Sequence, residues 1–328
     1  MYVKQKISLL LFLSSLVTAC GQIGSRAAAY PEPKLYRLQP GELVLAASEA
    51  DIPSIQAEDN YFVQVERADL EDADLVVGLF IGGESRAYPV RLLSLHEVVN
   101  DRIGEKAIAV TWCPLCYSPV VYDRIVDGQE LSFRASGYLL HNNLVLVDHP
   151  TDTLWSQLLG QGIRGALRGS VLKVIPSTVT TWEIWRENYP DSRVLSAERI
   201  GYEGDLPDPY GGYFSSGAAG LGGAGEIDPR LPAKTLILGL VSGEDIKAYP
   251  VDLIREQRII VDQVGDFTFS IIWDEKQGIG RTFLGDISQD LPEKGMIDFN
   301  SLTPVPAQLV YWFAWTGFYP ESDLYRSR

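Results

Sequence analysis

One stretch of this 328-residue chain occurs twice. Residues 75–112, "LVVGLFIGGESRAYPVRLLSLHEVVNDRIGEKAIAVTW", align without a gap against residues 236–273, "LILGLVSGEDIKAYPVDLIREQRIIVDQVGDFTFSIIW". Twelve of the 38 positions are identical, including Gly78/Gly239, Tyr88/Tyr249, Pro89/Pro250, Asp101/Asp262, Gly104/Gly265 and Trp112/Trp273. Self-similarity of this kind marks a supersecondary unit used twice, so the fold must accommodate two copies of one small piece. Within each copy, apolar alternation on both sides of a Gly-containing turn reads as a hairpin. "AYP" then leads into a short helix, and a polar turn precedes a last strand. The expected class is α+β, predominantly β: a single globular domain built on an internal duplication.

The differences between the copies point to chemistry. His96 faces Gln257 in the alignment, Asn100 faces Val261, and Cys113-Pro-Leu-Cys116 faces Asp274-Glu-Lys-Gln277. Shared positions are mostly apolar, Gly or Pro and are explained by folding. The positions that differ carry thiols and an imidazole, a pattern that fits one active copy on a duplicated frame.

Between and beyond the copies, strands are expected at 131–135, 144–147 and 172–175, with a short helix through "TLWSQLL". A further helix is expected at "TTWEIWRENYP", with Thr180 or Thr181 as its N-cap and Trp182 and Trp185 on one face. Residues 201–231 are rich in Gly and Pro and read as a long surface loop. The tail "QLVYWFAWTGFYPESDLY" reads as a core strand. Trp155 and Gln157 are expected in the core, the latter as a buried hydrogen-bonding group.

The N-terminus bounds the compartment. Lys4 and Lys6 precede an apolar run from Ile7 to Val17, followed by Thr18, Ala19 and Cys20. A run of about eleven residues is too short to span a bilayer, and the pattern is that of a secretory signal over 1–19. "LVTAC" also matches a lipobox, which makes Cys20 the expected lipidation residue, 20–42 a flexible lipid-anchored tether and 43–328 the globular domain. The expected location is the cell envelope, with the membrane as a partner through lipidated Cys20.

Net charge is −15. Nucleic-acid binding rests on clustered Lys and Arg, so no nucleic acid is expected as a partner. No acidic cluster has calcium-loop spacing, and "GLGGAGE" lacks the preceding strand and the Lys of a phosphate loop.

Once Cys20 is set aside, Cys113 and Cys116 are the remaining thiols. "AYPVRLLSLHEVVND", "VTWCPLCYSPVVYDR", "SGYLLHNNLVLVDHPTDTLWSQLLGQGIRG", "DPYGGYF" and "YWFAWTGFYP" together resemble the bacterial family known as domain of unknown function 3179, over nearly the whole chain after the tether. The resemblance implies an exported or lipid-anchored globular domain, without an assigned reaction, and redox work at a thiol position. Its motifs fall on His96, Glu97, Asn100, Asp101, Cys113 and Cys116. Two departures stand out: Tyr117 where a Gly usually follows the second cysteine, and His149 where an Arg is usual.

A Cys-x-x-Cys pair at the end of an apolar strand can work as a dithiol, since thiolate is the attacking species and its formation is set by the surroundings. The leading reading is a thiol-based redox protein with Cys113 as nucleophile, Cys116 as resolving thiol and His96 as base or orienting group, acting on a protein or small-molecule thiol partner. The second reading is a copper or zinc protein holding a single Cu or Zn ion through Cys113, Cys116 and His96, with His141 as a further candidate ligand; on the first reading no cofactor is needed. The third is an interaction module in which the pair is only a local disulfide. Glu97 is expected to face solvent, and Asn100 and Asp101 to be turn residues ahead of Gly104.

Overall fold

The computed structural model describes residues 31, 34–223, 225–288, 299 and 302–327. The expected signal peptide at 1–19 and Cys20 lie outside the described residues. Strands dominate, with five short α-helices among the described residues, so the class is α+β and predominantly β. No helix among them is long and apolar enough to cross a membrane.

The first unit begins with the hairpin Leu75–Ile81 and Glu84–Pro89. Gly82 and Gly83 both take positive φ (60° and 90°), the tight turn whose twist matches that of its strands. Helix Val90–His96 follows Pro89 directly and stops at Glu97, which takes the left-handed conformation with φ 57°. That reversal sends the chain into strand Val98–Ile103, which pairs with Lys106–Cys113, which pairs in turn with Ser118–Asp123.

The second unit repeats these pairings in register. Val77 faces Tyr88 and Leu238 faces Tyr249; Val98 faces Thr111 and Ile259 faces Ile272; Cys113 faces Ser118 and Asp274 faces Ile279. Helix Val251–Gln257 ends at Arg258, also at positive φ (68°). Its hairpin turn has the same two-residue length, with Gly243 at φ 65°.

The equivalence extends past the aligned segments. Strand Thr178–Thr181 pairs with the first hairpin, Thr178 facing Gly78, and Gln308–Tyr311 pairs with the second, Gln308 facing Gly239. Each leads into a seven-residue helix, Trp182–Asn188 or Trp312–Phe318, and then a short strand parallel to the hairpin. The indoles of Trp185 and Trp315 donate to Ser192 and Ser322 at 3.0 and 2.8 Å. Both indoles lie flat on a glycine: a Cβ at Gly78 would stand 2.1 Å from Trp185, and one at Gly239 would stand 2.3 Å from Trp315.

Four expectations are corrected here. "TLWSQLL" holds strand Leu154–Ser156, not a helix, because its residues are buried on both faces and the Trp155 indole is tied to Asp148 at 2.8 Å. The C-terminal tail opens on strand Gln308–Tyr311 but continues into helix Trp312–Phe318 before the short strand Asp323–Leu324, since Trp312, Trp315 and Tyr319 follow helical spacing. Asn100 and Asp101 lie in strand Val98–Ile103 and are buried; Asn100 bridges the backbone of Phe133 at both N and O, and Asp101 takes Arg86 at 2.7 Å together with the Tyr88 hydroxyl. The 201–231 stretch contains a short helix, Gly211–Ser215, that packs onto the first unit.

Other expectations hold. Thr181 caps its helix by accepting from Ile184 N, and Trp182 and Trp185 are buried together. Gln157 is fully buried, donating to Thr111 and the Ser118 carbonyl while accepting from Ser118 and Asn143. Residues 34–42, expected within the flexible tether, are a further correction, since Tyr36 docks on the domain: its N donates to Gln161 at 2.7 Å, and its ring packs on His141 and Phe318.

Candidate functional site

Strand Lys106–Cys113 is buried from Ala107 onward, so its end lies inside the protein rather than at a surface edge. Pro114 presets the turn that follows. Cys116 N closes it on Cys113 O at 3.2 Å, and Tyr117 completes it at φ 54°. The backbone N–H groups of Leu115 and Cys116 thereby point back at the Cys113 sulfur. From the other side comes the hairpin Ser132–Leu140 and Asn143–His149, whose two turn residues, His141 and Asn142, are both left-handed. This turn brings the Asn142 carbonyl to 3.1 Å from Cys116 Sγ and 3.8 Å from Cys113 Sγ, and the Leu144 N–H to Cys113. Both thiols are free; Cys113 is 2% exposed and Cys116 0%.

The two sulfurs sit in unlike surroundings. Burial alone would push the Cys113 thiol up, but the Cys116 thiol and the N–H groups of Leu144, Cys116 and Leu115 outweigh it and hold Cys113 below the ordinary thiol value. Cys116 is pushed far up, first by burial, then by its bond to Cys113 and the charge there; the Asn143 amide offsets only part of this, and Glu97 adds to it. Of the two thiols, Cys113 is therefore the one that ionises first, while Cys116 holds its proton.

Glu97 corrects a sequence expectation. It is 8% exposed, not solvent-facing, because the left-handed cap turns it inward and its carbonyl accepts Trp112 N at 2.9 Å, one residue before Cys113. Burial first and the Cys113 charge second push its carboxyl up to about 8. Its alignment partner is Arg258, so the comparison that singled out His96 also marks Glu97.

His96 is placed otherwise than expected. Nδ1 lies 2.6 Å from the Pro53 carbonyl, which can only accept, so this nitrogen carries the proton. Nε2 then accepts from the Tyr202 hydroxyl at 3.0 Å. Burial lowers its pKa, with the Pro53 bond acting in the opposite direction. His141 Nε2 lies 2.8 Å from Tyr36 OH and its ring is 5.0 Å from Phe318. His149 ends its strand exposed. Among the described residues no three His, Cys, Asp or Glu side chains form a group that could hold a metal ion, so Cys113, Cys116 and His96 are not gathered into the expected ligand set.

Aromatic side chains cover the sulfurs. Tyr117 packs on Trp112 and Tyr311 at 5.1 and 5.4 Å and on Phe214 at 6.0 Å. Tyr213 donates to the Leu115 carbonyl at 2.7 Å and accepts Gly220 N at 3.0 Å. Leu221 N binds the Asn142 side chain at 2.8 Å. Burial, first among its causes, pushes the Tyr213 hydroxyl up to about 12. The second unit contributes as well, through Tyr311 N on the Cys116 carbonyl at 2.8 Å.

The site is thus a covered, asymmetric dithiol at the mouth of a β-hairpin turn. A family model described as "Protein of unknown function (DUF3179)" matches residues 49–322. The chain belongs to that family. No curated protein and no solved structure matches it.

Proposed function

We propose that this protein is a thiol–disulfide oxidoreductase of the cell envelope, with Cys113 as nucleophile and Cys116 as resolving thiol. The observation that carries the reading is the unlike placing of the two sulfurs: Cys116 Sγ lies 3.1 Å from the Asn142 carbonyl, which accepts its proton, whereas Cys113 Sγ lies 3.8 Å from that carbonyl and faces backbone N–H groups that favour its thiolate. In the reaction the Cys113 thiolate attacks one sulfur of a partner disulfide, giving a mixed disulfide and one partner thiolate. Cys116 then loses its proton and attacks Cys113 Sγ, releasing the second partner thiol; the protein pair gives up two electrons and the partner takes them. The Cys116→Ser variant tests this, because it should accumulate a mixed disulfide on Cys113 when mixed with a disulfide probe. Cys113→Ser should accumulate none. A Cys116→Ser protein that forms no adduct would sink the reading.

The export signal and "LVTAC" support lipid anchoring at Cys20. Replacing Cys20 by Ser should move the protein into the soluble fraction and abolish lipid labelling; a native protein that takes no label overturns the anchor. The matched registers of the two units support descent from one duplicated ancestor, in which the second copy carries Asp274 and Gln277 in place of the thiols.

A further inference from the structure

Cys113 and Cys116 are buried, and residues 207–223 are tied across the turn that holds them. This covering segment is pinned beyond both ends. In front, the Leu206 carbonyl accepts Arg91 from helix Val90–His96, and the Tyr202 hydroxyl meets His96 at 3.0 Å. Behind, the Asp228 carbonyl accepts the Trp312 indole at 3.1 Å, and Arg230 donates to the Ser322 carbonyl at 2.7 Å.

Between the pins the hold on the dithiol turn is slight. Tyr213 donates to the Leu115 carbonyl at 2.7 Å, Leu221 N donates to the Asn142 side-chain oxygen at 2.8 Å, and the Phe214 ring lies 6.0 Å from Tyr117. Lys234 latches the segment by donating to the Tyr213 and Ser216 carbonyls, its ammonium 3.5 Å from the Tyr213 ring centroid. Of residues 207–223 only Ala219 is buried, whereas Trp112, Cys116 and Ser118 of the strand and turn below are 0% exposed. A segment that buries so little opens locally at far lower cost than the core beneath it.

We propose that residues 207–223 fill the polypeptide-binding site of this dithiol: the disulfide-bearing segment of a partner chain displaces them and takes over the Leu115 carbonyl, the Asn142 side-chain oxygen and the Tyr117 ring. The inference rests on the oxidoreductase reading above and names its substrate class, disulfides carried in polypeptide chains.

Three observations support it. The resting occupant is itself a peptide, which holds this floor with a backbone N–H, a hydroxyl and an aromatic ring. Acceptors uncovered by its departure need donors, and an extended main chain supplies them at regular intervals. The acceptors also flank the sulfurs: Leu115 stands between the two cysteines, and the Asn142 carbonyl is 3.1 Å from Cys116 Sγ. A peptide bound to both is laid along the thiols. Finally, Tyr117 is backed by Trp112 and Tyr311 at 5.1 and 5.4 Å, a fixed aromatic surface suited to an apolar or aromatic side chain beside the partner's cysteine. At the thiol-free turn the positions equivalent to Leu115 and Tyr117 are an exposed Lys276 and Gly278.

The test compares two disulfides on the reduced full chain. One is dithiodipyridine, small and neutral; the other is a short synthetic peptide with phenylalanine next to one of two cysteines joined as a disulfide. Exchange is followed by acid quench and mass. Tyr213→Phe removes the bond to Leu115 and should raise both rates about five-fold, leaving their ratio unchanged. Asn142→Gly removes the side-chain acceptor while keeping the left-handed backbone, and should lower the ratio of peptide rate to dithiodipyridine rate about five-fold. A third measurement needs no variant: the same peptide with serine for both cysteines, added to native protein at saturation, should speed amide exchange at Leu221. A ratio unmoved in Asn142→Gly, rates unmoved in Tyr213→Phe, or Leu221 exchange unmoved by the serine peptide overturns the polypeptide site and leaves the oxidoreductase reading standing. Reduced native protein that exchanges with neither disulfide overturns the oxidoreductase reading, and the Leu221 amide still decides whether a peptide displaces the cover.

Discussion

The turns at 113–116 and 274–277 are built alike and filled differently. Each closes a strand-to-strand connection with the N–H of its last residue on the carbonyl of its first, at 3.2 Å in both. In the second unit the Asp274 carboxylate accepts the N–H groups of Lys276 and Gln277 at 3.1 Å; in the first, the equivalent N–H groups of Leu115 and Cys116 fall on the Cys113 sulfur. The shared feature is a small nest of N–H groups suited to a negative atom. With a carboxylate in it the turn is a structural clasp, also held by Arg281 at 2.9 Å. With a sulfur in it, the same geometry favours thiolate, the form that the proposed nucleophile needs.

The surroundings diverge to match. Next to the thiols the helix cap is a buried acid, Glu97; next to Asp274 it is an outward Arg258. The thiol turn is roofed by Tyr117, Tyr213, Phe214 and Tyr311, whereas Glu275 and Lys276 of the other turn are exposed. A frame that fixes backbone and hydrogen-bond directions thus leaves the chemistry to a few side chains.

The comparison breaks most visibly at the proposed nucleophile. Cys113→Ser should abolish exchange with a small disulfide, down to the buffer rate, while Asp274→Ala leaves exchange at the native level. Loss in both, or in neither, would remove the distinction between the turns.

The second effect is on stability against pH. Glu97 ionises near 4.5 when unfolded and about 8 when folded, so the folded state holds a proton that the unfolded state has released between those values. Its contribution is fully present below pH 4.5 and is lost as pH rises toward 8, by roughly 5 kcal/mol at most. Denaturant titrations should therefore show Glu97→Gln gaining on the native protein across that window. A constant difference would mean that Glu97 is not held neutral.

Third, the shared frame should fail in both units alike. Gly78→Ala and Gly239→Ala each drive a methyl into an indole, and each should cost about 3 kcal/mol in chemical denaturation. A tolerated change in one unit alone would show that the two tryptophans are not seated equivalently.

The smallest effect sharpens the reading of the nest. Asp274→Ala leaves two N–H groups and Arg281 without their acceptor and should lower stability by about 1–2 kcal/mol, with thiol reactivity unaltered.

Much of this was legible in the sequence because the repeat constrains pairing. Gly82, Gly243 and the "AYP" motif located both hairpins and both helices, and Cys113 emerged from the difference between copies. The repeat also reaches further than the aligned segments: Trp182, Trp185, Tyr189, Pro190 and Ser192 match Trp312, Trp315, Tyr319, Pro320 and Ser322. Reading the tail as a strand overlooked that spacing. Other features depend on tertiary contact. Nothing local to "HEVVND" says that a left-handed cap turns Glu97 inward and His96 toward Pro53 and Tyr202. Nothing local to "HNNL" says that Asn142 and Leu144 meet the sulfurs. A Gly- and Pro-rich stretch carries no period, so the bond from Tyr213 to Leu115 and its role as a cover could not be read from it.

The most direct test of the account is the rate of alkylation of each cysteine against pH in reduced native protein, with the modified residue identified by peptide mass. The account predicts that label enters at Cys113, with a midpoint below that of an ordinary thiol, and that Cys116 stays unlabelled across the neutral range. Equal labelling of the two cysteines at an ordinary thiol midpoint, or label entering first at Cys116, would contradict it.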